Sequence, residues 1–117
     1  MSWLTAGTLV LADWRGRALP REPTGIRPGV VIDGEAFPED YANTLVVPFT
    51  RDLSLVDATF ALRIEPTAEN GASATSWALP HHLTSVSRRR VRPTNSRITS
   101  DQLWEIRQRI ALAIGLV

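Results

Sequence analysis

The sequence predicts an α+β domain, a small antiparallel β-barrel or sandwich closed by a C-terminal helix. Three observations predict it. Short β-rich segments follow one another at close spacing, separated by Gly- and Pro-containing stretches. Near residue 99 the apolar spacing changes to steps of three and four, the period of a helix face. The chain has 117 residues, the size of one ordinary domain, so residues 1–117 are read as a single unit.

Thr8 to Trp14 reads as the first strand, bounded by Gly7 and a polar stretch. Residues 15–28 read as a loop, because Pro20, Pro23, Gly25 and Pro28 rule out helix and central strand at that density. Gly29 to Asp33 is a second strand and Leu45 to Thr50 a third. The unbroken apolar run of the third predicts burial on both faces, with Pro48 at an edge, a bulge or a strand end. Thr59 to Glu65 alternates, with Phe60, Leu62 and Ile64 facing one way. Glu69-Asn70-Gly71 supplies a turn. Ser73 to Leu79 and Leu83 to Val91 are the fifth and sixth strands, split by Pro80. Leu103, Ile106, Ile110, Ala113 and Val117 then mark one helix face. Thr99 with Gln102 fits a capping box, Glu105 with Arg109 an i,i+4 ion pair, and Gly115 the helix end.

Composition excludes several classes. With no cysteine there are no disulfides, thiolate nucleophiles or Cys-ligated metal sites. Hydrophobic content of 44% against 21% charged places the chain among globular proteins, not disordered ones. The start of the chain has no basic region followed by a long apolar core, and no run reaches the ~18 apolar residues of a membrane span. A cytoplasmic protein without a leader is expected. No cofactor or metal is expected either: His81 and His82 are adjacent and cannot share a helix face, and no acid or histidine stands at ligand spacing from them.

All thirteen basic residues are arginine, and the charge is polarised. Residues 33–69 carry eight acids against Arg51 and Arg63. Residues 70–117 carry seven arginines against Asp101 and Glu105. Such a chain can offer a basic face to a polyanion. The run Arg88-Arg89-Arg90 with Arg92 suits either a nucleic-acid backbone or a solvated strand edge. Trp14 and Trp77 are candidates to stack bases, whereas Trp104, beside the apolar stripe, suits core or dimer packing.

Four stretches, in order, resemble the MazF/PemK/Kid toxins of toxin–antitoxin pairs. They are the strand from Gly7 to Asp13; Glu22-Pro23-Thr24-Gly25-Ile26-Arg27-Pro28-Gly29-Val30-Val31, similar to the family pattern E-Q-x-G-x-R-P-x-V-V; Val46-Val47-Pro48-Phe49-Thr50, similar to V-V-P-x-T; and Arg97 to Leu103 running on to Leu112-Ala113-Ile114-Gly115-Leu116. The resemblance implies an SH3-like barrel, a homodimer, a cognate antitoxin with an acidic flexible tail, and an endoribonuclease that cuts single-stranded RNA. It implies functional roles for Arg27, Thr50 and Glu22. The sequence departs from the family at His81-His82-Leu83-Thr84-Ser85-Val86-Ser87, where an acid and a glutamine are common, and at Leu79, where some members carry arginine.

Metal-independent RNA cleavage uses the substrate's 2′-OH as nucleophile. The protein must accept a proton, donate one to the 5′-oxygen and stabilise charge on the phosphorane. Arg27 suits the last task because its planar fork matches phosphate and stays charged. Thr50 can donate to a phosphate oxygen or position the attacking hydroxyl. His81, His82 and Glu22 are the alternatives for proton transfer. Gly25 allows close backbone approach to phosphate. Arg21, Thr24, Gly25, Arg51, His82, Arg88 and Arg90 are assigned to RNA binding around a catalytic set of Arg27, Thr50, Glu22 and His81. In the blander reading Arg27 is a surface arginine pairing with an acid, and Thr50 simply ends a strand. Two other functions fit the same fold: a CcdB-like toxin that inhibits DNA gyrase without catalysis, and a non-catalytic RNA-binding module.

Overall fold

The structure, a computed structural model, describes residues 4–14 and 25–117. Its elements are β1 (Thr8–Asp13), β2 (Ile26–Val31), β3 (Asn43–Thr50), β4 (Leu62–Ile64), β5 (Ser76–Ala78), β6 (Thr84–Ser87), β7 (Val91–Arg97) and α1 (Ser100–Ala113). All strand pairs are antiparallel. The strand order is β4-β5-β3-β2-β1-β7, with β6 also paired to β3. The sheet curls into a half-barrel, and α1 is the single α-helix among the described residues.

Alternation along the central strands sends neighbouring side chains to two different cores. Val10, Ala12, Val31, Val46, Val86 and Val91 meet Leu4 and Trp14 in one cluster, to which β1, β2, β3, β6 and β7 all contribute. Leu9, Val30, Val47 and Phe49 point the other way and join Ile64, Ala78, Ile98 and Ile106 of α1. Helix α1 therefore covers the sheet face that carries Leu9, Val30, Val47 and Phe49. The apolar run of β3 is buried on both faces, as its sequence predicts: Val46 and Val47 are both fully buried, one in each cluster.

Pro48 sits where β3 changes partner. Residues Asn43 to Val46 pair with β6, Phe49 and Thr50 pair with β5, and the Pro48 carbonyl accepts Leu79 N–H at 2.9 Å. A residue without an N–H is tolerated at such a gap.

Several boundaries differ from those the sequence predicts. β2 starts at Ile26 and contains Pro28. From Ile26 to Pro28 it pairs with β1 alone, and its ladder to β3 begins at Gly29, so Pro28 lies on an open edge. The strand predicted over 59–65 shortens to β4. Asp57 accepts Thr59 N–H through Oδ1 at 2.8 Å and Ala61 N–H through its carbonyl at 2.9 Å, which turns the chain before Ala61. The fifth strand contracts to Ser76–Ala78. The sixth breaks at a 3₁₀ turn over Arg88–Arg90, where Ser87 Oγ accepts Arg89 N–H. β7 had no prediction, because its face toward the protein is built from half-buried Thr94 and Ser96 and not from apolar residues. Thr94 Oγ1 donates to the Leu9 carbonyl at 2.7 Å, tying β7 to β1.

The predicted capping box of α1 is present. Thr99 Oγ1 accepts Gln102 N–H, and Gln102 Oε1 accepts Thr99 N–H. Only Leu103, Ile106 and Ile110 of the predicted stripe pack against the sheet; Ala113 and Val117 are exposed, because the helix stops at Ala113 and runs past the core. Trp104 is 61% exposed and is not core. Arg109 donates to Glu105 at 3.1 Å and to the Ala61 carbonyl. Arg107 Nη2 donates to the carbonyls of Ile32 and Asp33 at 3.3 and 3.2 Å, which fastens the helix to the end of β2. Among the described residues no helix is long and apolar enough to cross a membrane.

Candidate active site

β2 begins and β3 ends at the same edge of the sheet. Their ladder pairs Gly29 with Pro48, Val30 with Val47 and Val31 with Val46. Continued by two residues, this register sets Arg27 across from Thr50. Pro28 has no N–H to give, so the ladder itself stops at Gly29 and the strands are free to part just where the two residues lie. Gly29 matters for the same reason. A Cβ there would sit 2.7 Å from Val46 Cγ1 and 3.0 Å from the Val47 carbonyl, so only glycine lets β2 approach β3 this closely.

Arg27 and Thr50 line one groove of about 500 Å³, with Pro28, Arg51, Leu11 and Phe49 among its walls and Asn70-Gly71-Ala72 on the facing loop. Arg27 is half-buried. Thr50 is 2% exposed and forms part of the floor. Its Oγ1 accepts Asp52 N–H at 3.0 Å. Arg51 is exposed at the rim, its Nη2 3.4 Å from Ser73 Oγ. Asn70 holds the facing loop: its Oδ1 accepts the N–H of Thr67 and Ala72, and its Nδ2 donates to the Glu65 carbonyl. Asn70 carries no signal in the sequence beyond its turn-forming neighbour Gly71. Such a site can bind a phosphate through a fixed cation and a hydroxyl donor.

The structure does not bring all the expected residues here. His81 and His82 lie on a 3₁₀ turn over Pro80–His82 and do not line the groove. His81 stacks on Phe60 at 5.2 Å and meets His82 edge-on at 4.5 Å, and the turn packs beside α1. Burial lowers the pKa of both imidazoles, opposed at His81 by Asp57 and reinforced at His82 by His81. Gly25 stands at φ +131° at the head of β2, a conformation that side chains rarely adopt; its carbonyl accepts Trp14 N–H, but it does not line the groove. Arg88 is drawn inward. Its Nη2 lies 3.8 Å from Oδ2 of the buried Asp33, so its assignment to an exposed RNA patch is corrected. Arg90 lines a second, smaller groove. Trp14 is 3% exposed and belongs to the core, not to a stacking surface. Glu22, Arg21 and Thr24 lie outside the described residues. Among those residues no group of three or more His, Asp or Glu is placed to hold a metal.

A curled antiparallel sheet, a C-terminal helix and a groove lined by both Arg27 and Thr50 make up the described structure. Residues 5–114 match the model of the PemK-like, MazF-like toxins of type II toxin–antitoxin systems. The chain belongs to that family. Among solved structures it is similar to MazF from Deinococcus radiodurans, at 23% identity and TM-score 0.72, with 94% of each chain covered. It is similar to an endoribonuclease solved with its cognate antitoxin from a mycobacterial species, at 13% identity and TM-score 0.74, covering 96% of this chain and 95% of that one. It is also similar to the Mycobacterium tuberculosis toxin MazF-mt6, at 16% identity and TM-score 0.68, covering 92% and 96%. At these identities the likeness shows the fold. Comparison with curated proteins returned no sequence match.

Proposed function

We propose that this toxin is an endoribonuclease that cuts single-stranded RNA without a metal, by attack of the substrate's own 2′-OH. The observation that carries the reading is the convergence of Arg27 and Thr50 on one groove. The scissile phosphate sits between them. The Arg27 guanidinium offsets the charge that builds on the non-bridging oxygens, and the Thr50 hydroxyl donates to one of them or orients the 2′-OH. The 2′-oxygen forms a bond to phosphorus as the bond to the 5′-oxygen breaks. The 2′-proton passes to a base and the 5′-oxygen receives one from an acid. Glu22 is the candidate base.

The mycobacterial neighbour, an endoribonuclease in complex with its cognate antitoxin, supports the same reading. It also supports control of this chain by a cognate antitoxin. A homodimer acting in the cytoplasm completes the proposal.

The test is incubation of the purified protein with labelled single-stranded RNA in EDTA, beside the same RNA carrying a 2′-deoxy residue at the mapped cleavage position. Cutting of the first and resistance of the second is the expected result. Cutting of both overturns the internal nucleophile. Intact RNA across many sequences, together with stalled DNA supercoiling by gyrase, overturns the ribonuclease in favour of a gyrase inhibitor.

A further inference from the structure

A second groove lies beside the first. It has a volume of about 310 Å³ and is lined by Ile26, Leu11 and Asp13 on one side and by Arg89, Arg90 and Arg92 on the other. The two grooves share one wall residue. Leu11 lines both, and it pairs with Pro28 on one flank and Arg92 on the other. Arg92 is therefore two strand spacings from Pro28, about 10 Å.

The chemistry of this surface is specific. Arg89 and Arg92 are exposed and Arg90 is half-buried, and no ion pair holds the three guanidinium groups among the described residues. The 3₁₀ turn at Arg88–Arg90 sorts the run: it turns Arg88 inward to Asp33 and leaves its neighbours on the groove. One carboxylate, Asp13, faces them. Between the grooves stand two exposed apolar side chains, Leu11 at 36% and Ile26 at 61%. Guanidinium groups alternating with apolar surface suit a chain of phosphates and bases.

We infer that the RNA strand leaving the Arg27–Thr50 groove crosses Leu11 and Ile26 and continues into the second groove, where Arg89, Arg90 and Arg92 hold its flanking phosphates. This rests on the ribonuclease reading and extends its footprint beyond the scissile step. The whole track falls within the ~4–16 nucleotides that small barrels occupy on single strands.

The experiment compares binding of two RNAs made uncleavable by a 2′-deoxy residue at the scissile position. One is just long enough to fill the first groove, and the other extends in both directions. The variant carries Arg89→Gln, Arg90→Gln and Arg92→Gln together; Arg92→Gln alone serves if the triple variant does not fold. The wild type should prefer the long RNA. The triple variant should lose about 10-fold or more of that preference, and its dependence of log affinity on log salt should flatten by about 2, at roughly 0.7 per phosphate contact. The single variant should flatten it by about 0.7. An unchanged long-to-short ratio and salt slope overturn the track while leaving the ribonuclease standing. Loss of binding to an acidic peptide with no change toward RNA also overturns it, in favour of a protein partner. A wild type that neither binds nor cuts RNA overturns both readings together.

Discussion

Arg27 and Thr50 fall opposite each other when the register that pairs Gly29 with Pro48 is continued by two residues. They stand at the point where Pro28 ends the ladder, and both line one groove. Substituting Arg27 with Ala should slow cleavage by about 100-fold or more, the scale for losing a transition-state donor. Thr50→Val should act similarly, while Thr50→Ser keeps the hydroxyl and most of the rate. Single-turnover cleavage of labelled RNA reads all three. Full activity in Arg27→Ala would falsify the site.

His81 is separated from that groove, packed on Phe60 and beside the helix. Loss of a general acid or base costs roughly 10²–10⁴-fold. His81→Gln should cost less than about 10-fold, measured as kcat/KM at neutral pH. A loss on the larger scale would return His81 to the chemistry.

The same histidines should make stability depend on pH. Burial holds both folded-state pKa values below the ordinary 6.5, so the unfolded chain binds protons that the folded chain refuses. Their contribution is fully present above pH 6.5 and is lost as the pH falls from there through the lowered values. Thermal unfolding followed across this range should show a falling Tm on the acid side. A His81→Gln, His82→Gln double variant should show a flatter curve. An equally steep fall in the double variant assigns the effect to other groups.

Asp33 is buried and fully used: Oδ2 accepts from Thr44 Oγ1 at 2.6 Å, Oδ1 accepts from Leu45 N–H at 2.8 Å, and Arg88 lies 3.8 Å away. Asp33→Ala removes the acceptor of the buried Thr44 hydroxyl and the carboxylate beside Arg88, and should cost about 3 kcal/mol. Denaturant unfolding measures it. A loss under about 1 kcal/mol shows that the network contributes little.

Gly29→Ala should also destabilise, by about 1–3 kcal/mol, because the added methyl meets branched Val46 and backbone, neither of which can move aside cheaply. The same substitution displaces β2 beside Arg27, so cleavage should fall with stability. A wild-type Tm shows that β2 and β3 have more room than their spacing indicates.

Local signals in the chain were enough for elements whose physics is local. The short β-rich run of β1, the two-faced burial of β3 and the capping box of α1 each depend on a few consecutive residues. β7 escaped because its inward side chains are hydroxyls, whose fit to a sheet depends on acceptors supplied by another strand, as Leu9 supplies one to Thr94. β4 was overestimated because an Asp57 turn competes with the alternating pattern.

By itself the sequence determined the α+β class, the helix start, and the two motifs that carry Arg27 and Thr50. Tertiary structure alone decided which candidates meet. The β2–β3 register joins residues twenty-three apart in the chain, the 3₁₀ turn splits one arginine run between a buried pair and an open groove, and the packing of Pro80–His82 beside the helix takes the histidines away. The physical reason is that charge and residue type are local properties, whereas what a side chain faces is fixed by long-range strand pairing and by which groups burial forces to find partners.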